Sequence, residues 1–264
     1  MPQLLEGKTA LVLGLANRWS IAYAIAQAYV REGAQLVLTY QGDRQKETVE
    51  DLGTELGVKR IYACDVSDDA QIDALAAALK SDGVVLNAVV HSIAFANRED
   101  LGRPFVETSR AGFTLAQDIS AYSLVAVARA VAPLMAPADQ GGGSIMTLSY
   151  LGSTRVVQNY NVMGVAKASL EASVRYLASD LGPANIRVNA ISAGAVKTTA
   201  ARGVRGLSKM IEEGAKTAPL RRATDPAEVA DTAVFLASDL GRGVTGNIIY
   251  VDAGIQIMGF ALSE

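Results

Sequence analysis

Short apolar runs alternate with segments of helical spacing along this 264-residue chain. A short apolar run bounded by glycine or polar residues is typical of a strand that is buried on both faces. Strands that alternate with helices form a parallel sheet with helices on both sides, and right-handed crossovers make such a sheet doubly wound. The alternation therefore predicts an α/β fold, with a single domain over residues 1–264 built on a seven-stranded parallel sheet.

The same pattern locates the individual elements. We predict strands over residues 8–14, 34–40, 60–66, 84–92, 144–150, 187–191 and 247–251. We predict helices over residues 20–32, 43–56, 70–80, 109–135, 159–181 and 226–238, with residues 67–69 capping the third. Residues 193–224 are too many for an ordinary connection between a strand and a helix. Because loops of that size are usually functional or mobile, we predict a lid there.

Composition excludes several classes of protein. Hydrophobic residues make up 50% of the chain and charged residues 19%, which allows a large core and argues against disorder. The net charge of −3 argues against a general nucleic-acid surface. The one cysteine, Cys64, rules out an internal disulfide and suits a reducing compartment. No signal-like leader or stretch near 20 apolar residues occurs, so we expect a cytoplasmic protein without a membrane span.

The helix predicted over residues 159–181 carries a tyrosine and a lysine seven positions apart, Tyr160 and Lys167. Seven residues at about 100° each return to within roughly 20° of the starting direction, so both lie on one stripe of the helix, together with Met163. A fixed positive charge stabilises a phenolate developing beside it and can also hold a hydroxylated cofactor. The alternative is a surface tyrosine and a surface lysine with no shared role.

The first turn between a strand and a helix has features of a phosphate site. Ligands of a doubly wound sheet bind beyond the carboxyl ends of the strands. Gly14 ends the first strand and allows a tight turn, and Ser20 begins a helix whose backbone N–H groups can hold a pyrophosphate. The turn lacks the strict G-x-G-x-x-G pattern. We nevertheless predict a dinucleotide site with Gly14 and Ser20 at the phosphates.

The second and third strands end at residues suited to the adenosine half of such a cofactor. Many dinucleotide enzymes carry an acidic residue after the second strand, for the ribose diol. Gln41 is neutral here and does not repel a 2′-phosphate, which Arg44 would attract. Asp65 and Val66 end the third strand, in position to meet the adenine. The alternative for Asp65 is a plain helix cap.

Small residues follow the fourth strand. Ser92, Ile93 and Ala94 allow a flat cofactor to lie close to the backbone. His91 is the only histidine, and a histidine at the end of an apolar strand is more often structural than catalytic. Cys64, within the third predicted strand, is expected in the core.

Short motifs along nearly the whole chain resemble those of a known family. They are Gly14 with Ser20-Ile21-Ala22-Tyr23, Thr39-Tyr40-Gln41, Cys64-Asp65-Val66, His91-Ser92-Ile93, Asp118-Ile119-Ser120, Leu148-Ser149-Tyr150-Leu151-Gly152, Asn159-Tyr160-Asn161-Val162-Met163-Gly164, the run 187–194 and Val251-Asp252-Ala253-Gly254. The chain resembles the NADH-dependent enoyl-acyl-carrier-protein reductases, a divergent branch of the short-chain dehydrogenase/reductase superfamily with a Rossmann fold. The run 187–194 and the last motif mark the superfamily only.

The spacing of the tyrosines distinguishes this branch from its relatives. Enzymes of the common branch, which act on ketones or alcohols, have the tyrosine four residues before the lysine and a serine about thirteen residues before that tyrosine. Those positions hold Met163 and Tyr150 here. Met163 has no acidic proton, so the ketone-reducing arrangement cannot form. Moving the phenol back to Tyr160 suits a substrate whose carbonyl does not itself accept the hydride.

The resemblance implies the reduction of the trans-2 double bond of enoyl-acyl-carrier-protein thioesters in type II fatty-acid biosynthesis. Tyr160 would stabilise the enolate, Lys167 would hold the nicotinamide ribose, and Tyr150 would either position the substrate or relay the proton to substrate C2. The implied NAD site comprises Gly14, Ser20, Ile21, Gln41, Asp65, Val66, Ser92, Ile93, Ala94, Lys167, Val196, Lys197, Thr198, Thr199 and Ala200. The implied substrate site comprises Ala96, Tyr150, Tyr160, Met163, Leu207 and Met210, with Ile211 as further apolar lining. We expect NADH as the cofactor, without excluding NADPH, and no metal.

Two partners follow from charge and from the resemblance. Residues 197–222 hold seven basic and two acidic residues in a chain that is negative overall. Arg202, Arg205 and Lys209 are therefore candidates for docking an acidic acyl carrier protein, although a solvated surface without a partner is the alternative. Together with the resemblance, the alanine-rich segments 111–132 and 166–178 suggest a homotetramer.

Two other functions compete with the reductase. A ketone- or alcohol-acting dehydrogenase of the same superfamily is one, and Met163 argues against it. A nucleotide-sensing regulator without turnover is the other, and it would be expected to lose Tyr160 or Lys167, both of which are present. Oxidation of NADH in the presence of an enoyl thioester separates the three.

Overall fold

Seven strands form one sheet within residues 3–198 and 205–259, the part of the chain that the computed structural model describes. They are β1 (Thr9–Leu13), β2 (Gln35–Tyr40), β3 (Arg60–Ala63), β4 (Ala88–His91), β5 (Gly143–Tyr150), β6 (Ile186–Ala193) and β7 (Ile248–Val251). Every pair is parallel, and the order is β3-β2-β1-β4-β5-β6-β7. The predicted seven-stranded parallel sheet is confirmed.

Helices cover both faces of the sheet. They are α1 (Ile21–Arg31), α2 (Asp43–Glu55), α3 (Asp69–Ser81), α4 (Arg98–Gly102), α5 (Arg110–Gln117), α6 (Ser123–Val131), α7 (Asn161–Leu181), α8 (Leu207–Thr217) and α9 (Pro226–Ala237). Helices α1, α2 and α9 share one hydrophobic core cluster with the sheet. Helices α3, α6 and α7 share a second cluster on the opposite face. Two cores on one sheet are what a doubly wound fold requires.

The strand order reverses at β1, which pairs with β2 on one side and β4 on the other. The connections after β1 and β4 therefore run to opposite faces of the sheet, and a crevice opens between them at the carboxyl ends of the strands. Ligands of open α/β sheets bind at this point. The loops after Leu13 and His91, which are register partners, form its walls.

The long helix predicted over residues 109–135 is interrupted. Helices α5 and α6 are joined by a π-helical turn, Asp118–Tyr122, and a 3₁₀ turn over Ala132–Leu134 follows α6. A π turn contains one residue more than an α-helix accommodates, which opens the carbonyl ladder. The hydroxyl of Ser123 donates to the Ile119 carbonyl oxygen at 2.6 Å and satisfies it.

The start of α7 also differs from the prediction. The helix begins at Asn161, and Tyr160 is its N-cap residue rather than a member of its first turn. The cause is Asn159, whose φ of +61° is left-handed and therefore cannot continue a right-handed helix. Met163 and Lys167 therefore lie on one stripe of α7, as predicted. Tyr160 reaches the same side from the position just before the helix.

Other boundaries differ by a few residues. Asp68 alone is the N-cap of α3, because its side chain accepts a hydrogen bond from the Ala70 amide, whereas a cap over residues 67–69 was predicted. Within the predicted lid, β6 continues to Ala193 and α8 occupies Leu207–Thr217. None of the eleven residues of α8 is buried.

No helix in the described ranges is long and apolar enough to cross a membrane.

Candidate active site

Two tyrosines and a lysine meet where β5 ends and α7 begins. The rings of Tyr150 and Tyr160 pack edge to face, with centroids 4.9 Å apart and planes at 68°. Lys167, two turns into α7, is 5% exposed, and its Nζ donates to the carbonyl oxygen of Leu148 at 2.7 Å. The structure therefore places the three predicted catalytic residues where the end of β5 lies against the first turns of α7.

Glycines make this close approach possible. A Cβ on Gly152 would lie 2.5 Å from a ring carbon of Tyr160, and one on Gly164 would lie 2.7 Å from the Gly152 carbonyl oxygen. Real Cβ atoms do not approach other atoms so closely, so both positions admit only glycine without a shift of the backbone. The turn after β5 can therefore lie directly on α7, which fixes the position of the Tyr160 ring.

The tyrosines of this site are held in their neutral form. Burial, with a smaller contribution from the neighbouring Tyr150, raises the pKa of Tyr160 well above its usual range. Burial also raises the pKa of Tyr150. A phenol that resists ionisation keeps its proton at neutral pH. Tyr160 is therefore suited to donating a hydrogen bond to an oxygen that gains negative charge.

Lys167 is the charged member of the site. Burial lowers its pKa to about 8, and the carboxylate of Glu171 opposes that shift. Glu171 follows Lys167 by one helical turn, is itself 5% exposed, and accepts a hydrogen bond from the hydroxyl of Ser149. Glu171 and Ser149 are not among the predicted site residues, although the four-residue spacing of Glu171 from Lys167 was a usable signal.

The side chains packed around Tyr160 are apolar. Met163 is 6% exposed and packs in a small cluster with Leu101, Ala116, Val162 and Ala166, against which Ala94, Ala96 and Tyr160 lie. Three predicted substrate residues, Ala96, Tyr160 and Met163, are therefore brought together. The methionine occupies the position that a ketone-reducing relative needs for its tyrosine, and it contributes only packing.

The two loops of the predicted cofactor cleft touch one another. Gly14 has a φ of +89°, and a Cβ there would lie 2.0 Å from the Ser92 carbonyl oxygen and 3.3 Å from the Ile93 side chain. The Ser92 amide donates to the Leu13 carbonyl at 3.1 Å. Only glycine fits this contact. Gly14, Ser92 and Ile93 thus lie together at the carboxyl ends of β1 and β4, with Ala94 following.

Ser20 and Ile21 lie at the beginning of α1, beneath that cleft. Ser20 is the N-cap, its hydroxyl accepting from the Tyr23 amide at 3.2 Å and donating to the Asn17 carbonyl at 2.7 Å. The N-terminus of an eleven-residue helix is therefore presented at the crevice. Its unpaired backbone N–H groups and its dipole favour an anion such as a pyrophosphate.

Gln41 and Asp65 meet at the far end of the crevice. The Gln41 amide donates to Asp65 Oδ2 at 3.1 Å, and Asp65 Oδ1 accepts from the amide and hydroxyl of Ser67. Burial disfavours the ionised carboxyl, but these hydrogen bonds outweigh it and lower the pKa of Asp65. Val66, next to Asp65, is 8% exposed and belongs to the core on the α3 side.

The predicted residues of the lid are placed only in part. Val196, Lys197 and Thr198 follow β6, whereas Thr199, Ala200 and Arg202 lie outside the described residues. Leu207, Met210 and Ile211 are partly buried on α8. The described link between this segment and the tyrosine is a hydrogen bond of 2.9 Å from the Asn159 amide to the Arg205 carbonyl. Asn159 belongs to a motif named above, but the motif does not indicate its contact with Arg205.

His91 and Cys64 are structural, as expected. His91 is fully buried, with Nδ1 at 3.0 Å from the Thr147 hydroxyl and Nε2 at 2.8 Å from the Ser123 hydroxyl. Burial, and secondarily Lys167, lowers the pKa of His91 to about 3, so the ring is neutral.

Cys64 is 4% exposed, and burial raises its pKa to about 11. Within the described ranges, no acidic, histidine or cysteine cluster could hold a metal ion.

Known proteins resemble this chain along almost its full length. The family described as Enoyl-(Acyl carrier protein) reductase matches residues 14–256. "Enoyl-[acyl-carrier-protein] reductase [NADH] FabI" of Bacillus cereus is 52% identical over 259 residues, 97% of this chain and 100% of the relative. The [NADPH] FabI of Staphylococcus aureus is 50% identical over 254 residues, 96% of this chain and 98% of the relative.

A solved structure extends the likeness to the fold. The Bacillus cereus enoyl-acyl carrier protein reductase, crystallised with NADP⁺ and indole naphthyridinone, superposes with a TM-score of 0.94 at 52% identity. The match covers 98% of this chain and 100% of the crystallised one. Fold, site and sequence thus agree along almost the full length, and the chain belongs to the enoyl-(acyl carrier protein) reductase family.

Proposed function

We propose that this chain reduces the trans-2 double bond of enoyl thioesters carried by acyl carrier protein, with NADH as reductant, in type II fatty-acid biosynthesis. The observation that carries the proposal is the neutral phenol of Tyr160, packed against Tyr150 at the end of β5, with the buried ammonium of Lys167 bonded to the Leu148 carbonyl on the same strand. This arrangement, with methionine where a ketone reductase needs tyrosine, suits a substrate that develops charge on an oxygen remote from the reduced carbon.

The residues of the crevice fit a nicotinamide dinucleotide. The Gly14–Ser92 contact brings the loops after β1 and β4 together at the crevice, and the N-terminus of α1 supplies N–H donors for the phosphates. Gln41 and Asp65 offer an amide and a carboxylate to the adenosine. Lys167 would hold the nicotinamide ribose. Val196, Lys197, Thr198, Thr199 and Ala200 complete the proposed binding set. When bound, NADH supplies the hydride for substrate C3.

Tyr160 and Lys167 have separate tasks in the reaction. As C3 is reduced, negative charge collects on the thioester oxygen of the substrate, and the Tyr160 hydroxyl donates a hydrogen bond to it. A proton then added to C2 discharges the enolate and gives the saturated thioester. Such a preorganised donor usually gives the largest electrostatic part of catalysis. Lys167 provides a positive potential that favours the same charge. Tyr150 stabilises the Tyr160 ring by its edge-to-face contact and lines the substrate pocket.

The Tyr160→Phe variant tests the proposal directly. It removes the hydroxyl and keeps the ring, so the contact with Tyr150 survives. We expect kcat for a trans-2-butenoyl thioester to fall by about 10²–10³, equivalent to roughly 3–4 kcal/mol, while the KM for NADH stays the same. The measurement is NADH absorbance against time. Tyr176→Phe, which removes an exposed hydroxyl from the same helix, is the matched control. Full turnover by Tyr160→Phe would contradict the assigned role.

The cofactor preference is part of the proposal. Among the relatives, one is named for NADH and another for NADPH. Gln41 is occupied by its bond to Asp65, and the carboxylate of Asp65 disfavours an additional phosphate nearby. We therefore expect kcat/KM to be higher with NADH than with NADPH when both are measured side by side.

The acyl chain and the carrier protein are assigned to the region of α8. Leu207, Met210 and Ile211 would cover the acyl chain, with Ala96 and Met163 on the opposite wall. Arg205 and Lys209, both exposed, would form a basic rim for the acidic carrier protein. Arg202 completes that set in the sequence. Opposite charges of this kind accelerate association more than they tighten binding.

A homotetramer in the cytoplasm completes the proposal. Helix α7 exposes Val165 and Tyr176, the latter 75% exposed, along a stripe of small residues. Small residues allow helices of neighbouring subunits to pack closely, and soluble oligomers are usually closed and symmetric. The acyl carrier protein of type II synthesis would be met in the same compartment.

A further inference from the structure

The residues on both sides of Tyr160 are asparagines that bond to different parts of the chain. Asn161, after the tyrosine, donates to the carbonyl oxygen of Arg103 at the end of α4. Asn159, before it, donates to the carbonyl oxygen of Arg205, two residues before α8, at 2.9 Å. The catalytic tyrosine therefore lies between two side-chain anchors, one to each of the segments next to the site.

The Asn159 backbone favours this particular side chain. Its φ of +61° lies in the left-handed region, which asparagine and glycine adopt more readily than other residues. Glycine would suit the backbone equally well but has no amide. Aspartate would match the shape, yet its carboxylate cannot donate to a carbonyl oxygen. Asparagine combines a tolerated backbone conformation with the N–H group that the Arg205 carbonyl requires.

Helix α8 packs only loosely on the rest of the fold, so a polar anchor at its beginning matters for its position. None of its residues is buried. Its far end is fixed by the turn that follows, where the Leu220 amide donates to the Ala253 carbonyl and Pro219 lies against Gly254. Just before the beginning of α8, the side-chain amide of Asn159 donates a hydrogen bond to the Arg205 carbonyl oxygen. Because Leu207, Met210 and Ile211 are only partly buried, the position of that end responds to the hydrogen bond from Asn159.

We propose that Asn159 is a positioning residue that holds the beginning of α8 beside Tyr160 and thereby favours long acyl chains over short ones. The inference rests on the proposed function, in which Leu207, Met210 and Ile211 cover the acyl chain. A long chain contacts these residues and gains from a fixed α8. A four-carbon chain ends near Tyr160 and Met163, so it gains little.

The test uses two variants and one matched control. Asn159→Asp removes the donor and keeps the shape, and Asn159→Gly removes the side chain while suiting the positive φ. Asn185→Asp is the control, since Asn185 also has a left-handed backbone, with φ of +56°, but lies in the turn before β6. Steady-state rates are measured with trans-2-butenoyl and trans-2-dodecenoyl thioesters of coenzyme A, so that carrier-protein docking does not contribute.

Both Asn159 variants should raise the KM for the dodecenoyl substrate by about three- to ten-fold, as expected for one hydrogen bond. The KM for the butenoyl substrate and both kcat values should change by less than two-fold. Asn185→Asp should leave the ratio of the two KM values unchanged. Equal losses on both substrates, or an unchanged ratio in both Asn159 variants, would overturn the inference. A wild-type protein that reduces neither substrate would instead overturn the proposed function.

Discussion

At the residue scale, the site contains a buried positive charge, the ammonium group of Lys167, whose burial lowers the stability of the fold. Lowering the pKa of Lys167 from its usual 10.5 to about 8 corresponds to roughly 3 kcal/mol spent on burying an ammonium group. Glu171 and the Leu148 carbonyl offset part of the desolvation. Burial strengthens the interaction of the same charge with a nearby substrate oxygen, because the local dielectric is low. The cost in stability and the benefit for catalysis therefore have one cause.

Activity and stability should consequently respond to pH in opposite directions. The ammonium group of Lys167 is lost as pH rises through about 8, so turnover should decline on that limb. Between pH 8 and 10.5 the unfolded state binds more protons than the folded one, so this residue makes unfolding less favourable as pH rises. Rates and thermal midpoints between pH 6 and 10.5 measure the two effects.

Lys167→Met separates this residue from the other titrating groups. The variant should be more stable than the wild type near pH 7, by less than about 3 kcal/mol, since the bond to the Leu148 carbonyl is also lost. That advantage should shrink towards pH 10.5. NADH binding should weaken at neutral pH. An advantage that does not vary with pH would show that the burial of charge is not its origin.

At the scale of elements, the sequence predicts the type of element better than where it begins or ends. Apolar runs identify every strand of the sheet, because strands buried on both faces cannot contain polar side chains freely. The beginning of α7 was placed two residues early, because the left-handed backbone of Asn159 is not encoded in hydrophobic periodicity. The π turn after α5 was missed for the same reason. An extra residue in a turn leaves the apolar pattern almost intact.

Part of the site could be predicted and part could not. The pair Tyr160 and Lys167 follows from spacing along one predicted helix, and Tyr150 follows from the family resemblance. The contact of Gly14 with Ser92 joins residues 78 positions apart, and the bond from Asn159 joins it to Arg205, 46 positions away. Contacts of that kind depend on tertiary packing, which local periodicity does not record. Sequence motifs locate such residues but not their partners.

The basic rim on α8 gives a prediction at the scale of an element. Changing Arg205 and Lys209 to glutamate should lower kcat/KM for a substrate on acyl carrier protein, because association with an acidic partner is steered by opposite charge. The same substrate on coenzyme A should be affected much less. The difference between the two carriers should fade above about 0.5 M salt, where charges are screened within a few ångströms. Equal loss on both carriers would count against docking at this rim.

At the scale of the whole molecule, the two faces of the sheet have different tasks. The face covered by α1, α2 and α9 presents the helix N-terminus to the crevice. The face covered by α3, α6 and α7 carries the buried lysine and its carboxylate. The crevice where the strand order reverses lies between these two sets of groups. In the proposed function, phosphate binding and hydrogen-bond donation to the substrate would therefore reside on separate elements of one sheet.

The proposed homotetramer is tested on the intact chain. Light scattering after size-exclusion chromatography should give a mass about four times 27.6 kDa. Replacing Tyr176 by glutamate would place a charge on the exposed stripe of α7 and should shift the mass towards a smaller species. Lys216→Glu, an exposed change on α8 away from that stripe, is the control. A wild-type mass of a single subunit would contradict the proposal.

The π turn between α5 and α6 has a consequence for how this chain tolerates shortening. Ser120 in that turn clamps the backbone of Phe95, accepting from its amide at 2.9 Å and donating to its carbonyl at 3.0 Å. Deleting one residue from Asp118–Tyr122 would restore a regular α-helix and rotate everything before it by about 100°. The clamp would then face away from the crevice wall. The extra residue of the π turn therefore sets the direction in which Ser120 points relative to the crevice wall. We expect deletions in Asp118–Tyr122 to be tolerated less well than deletions at the end of an ordinary helix.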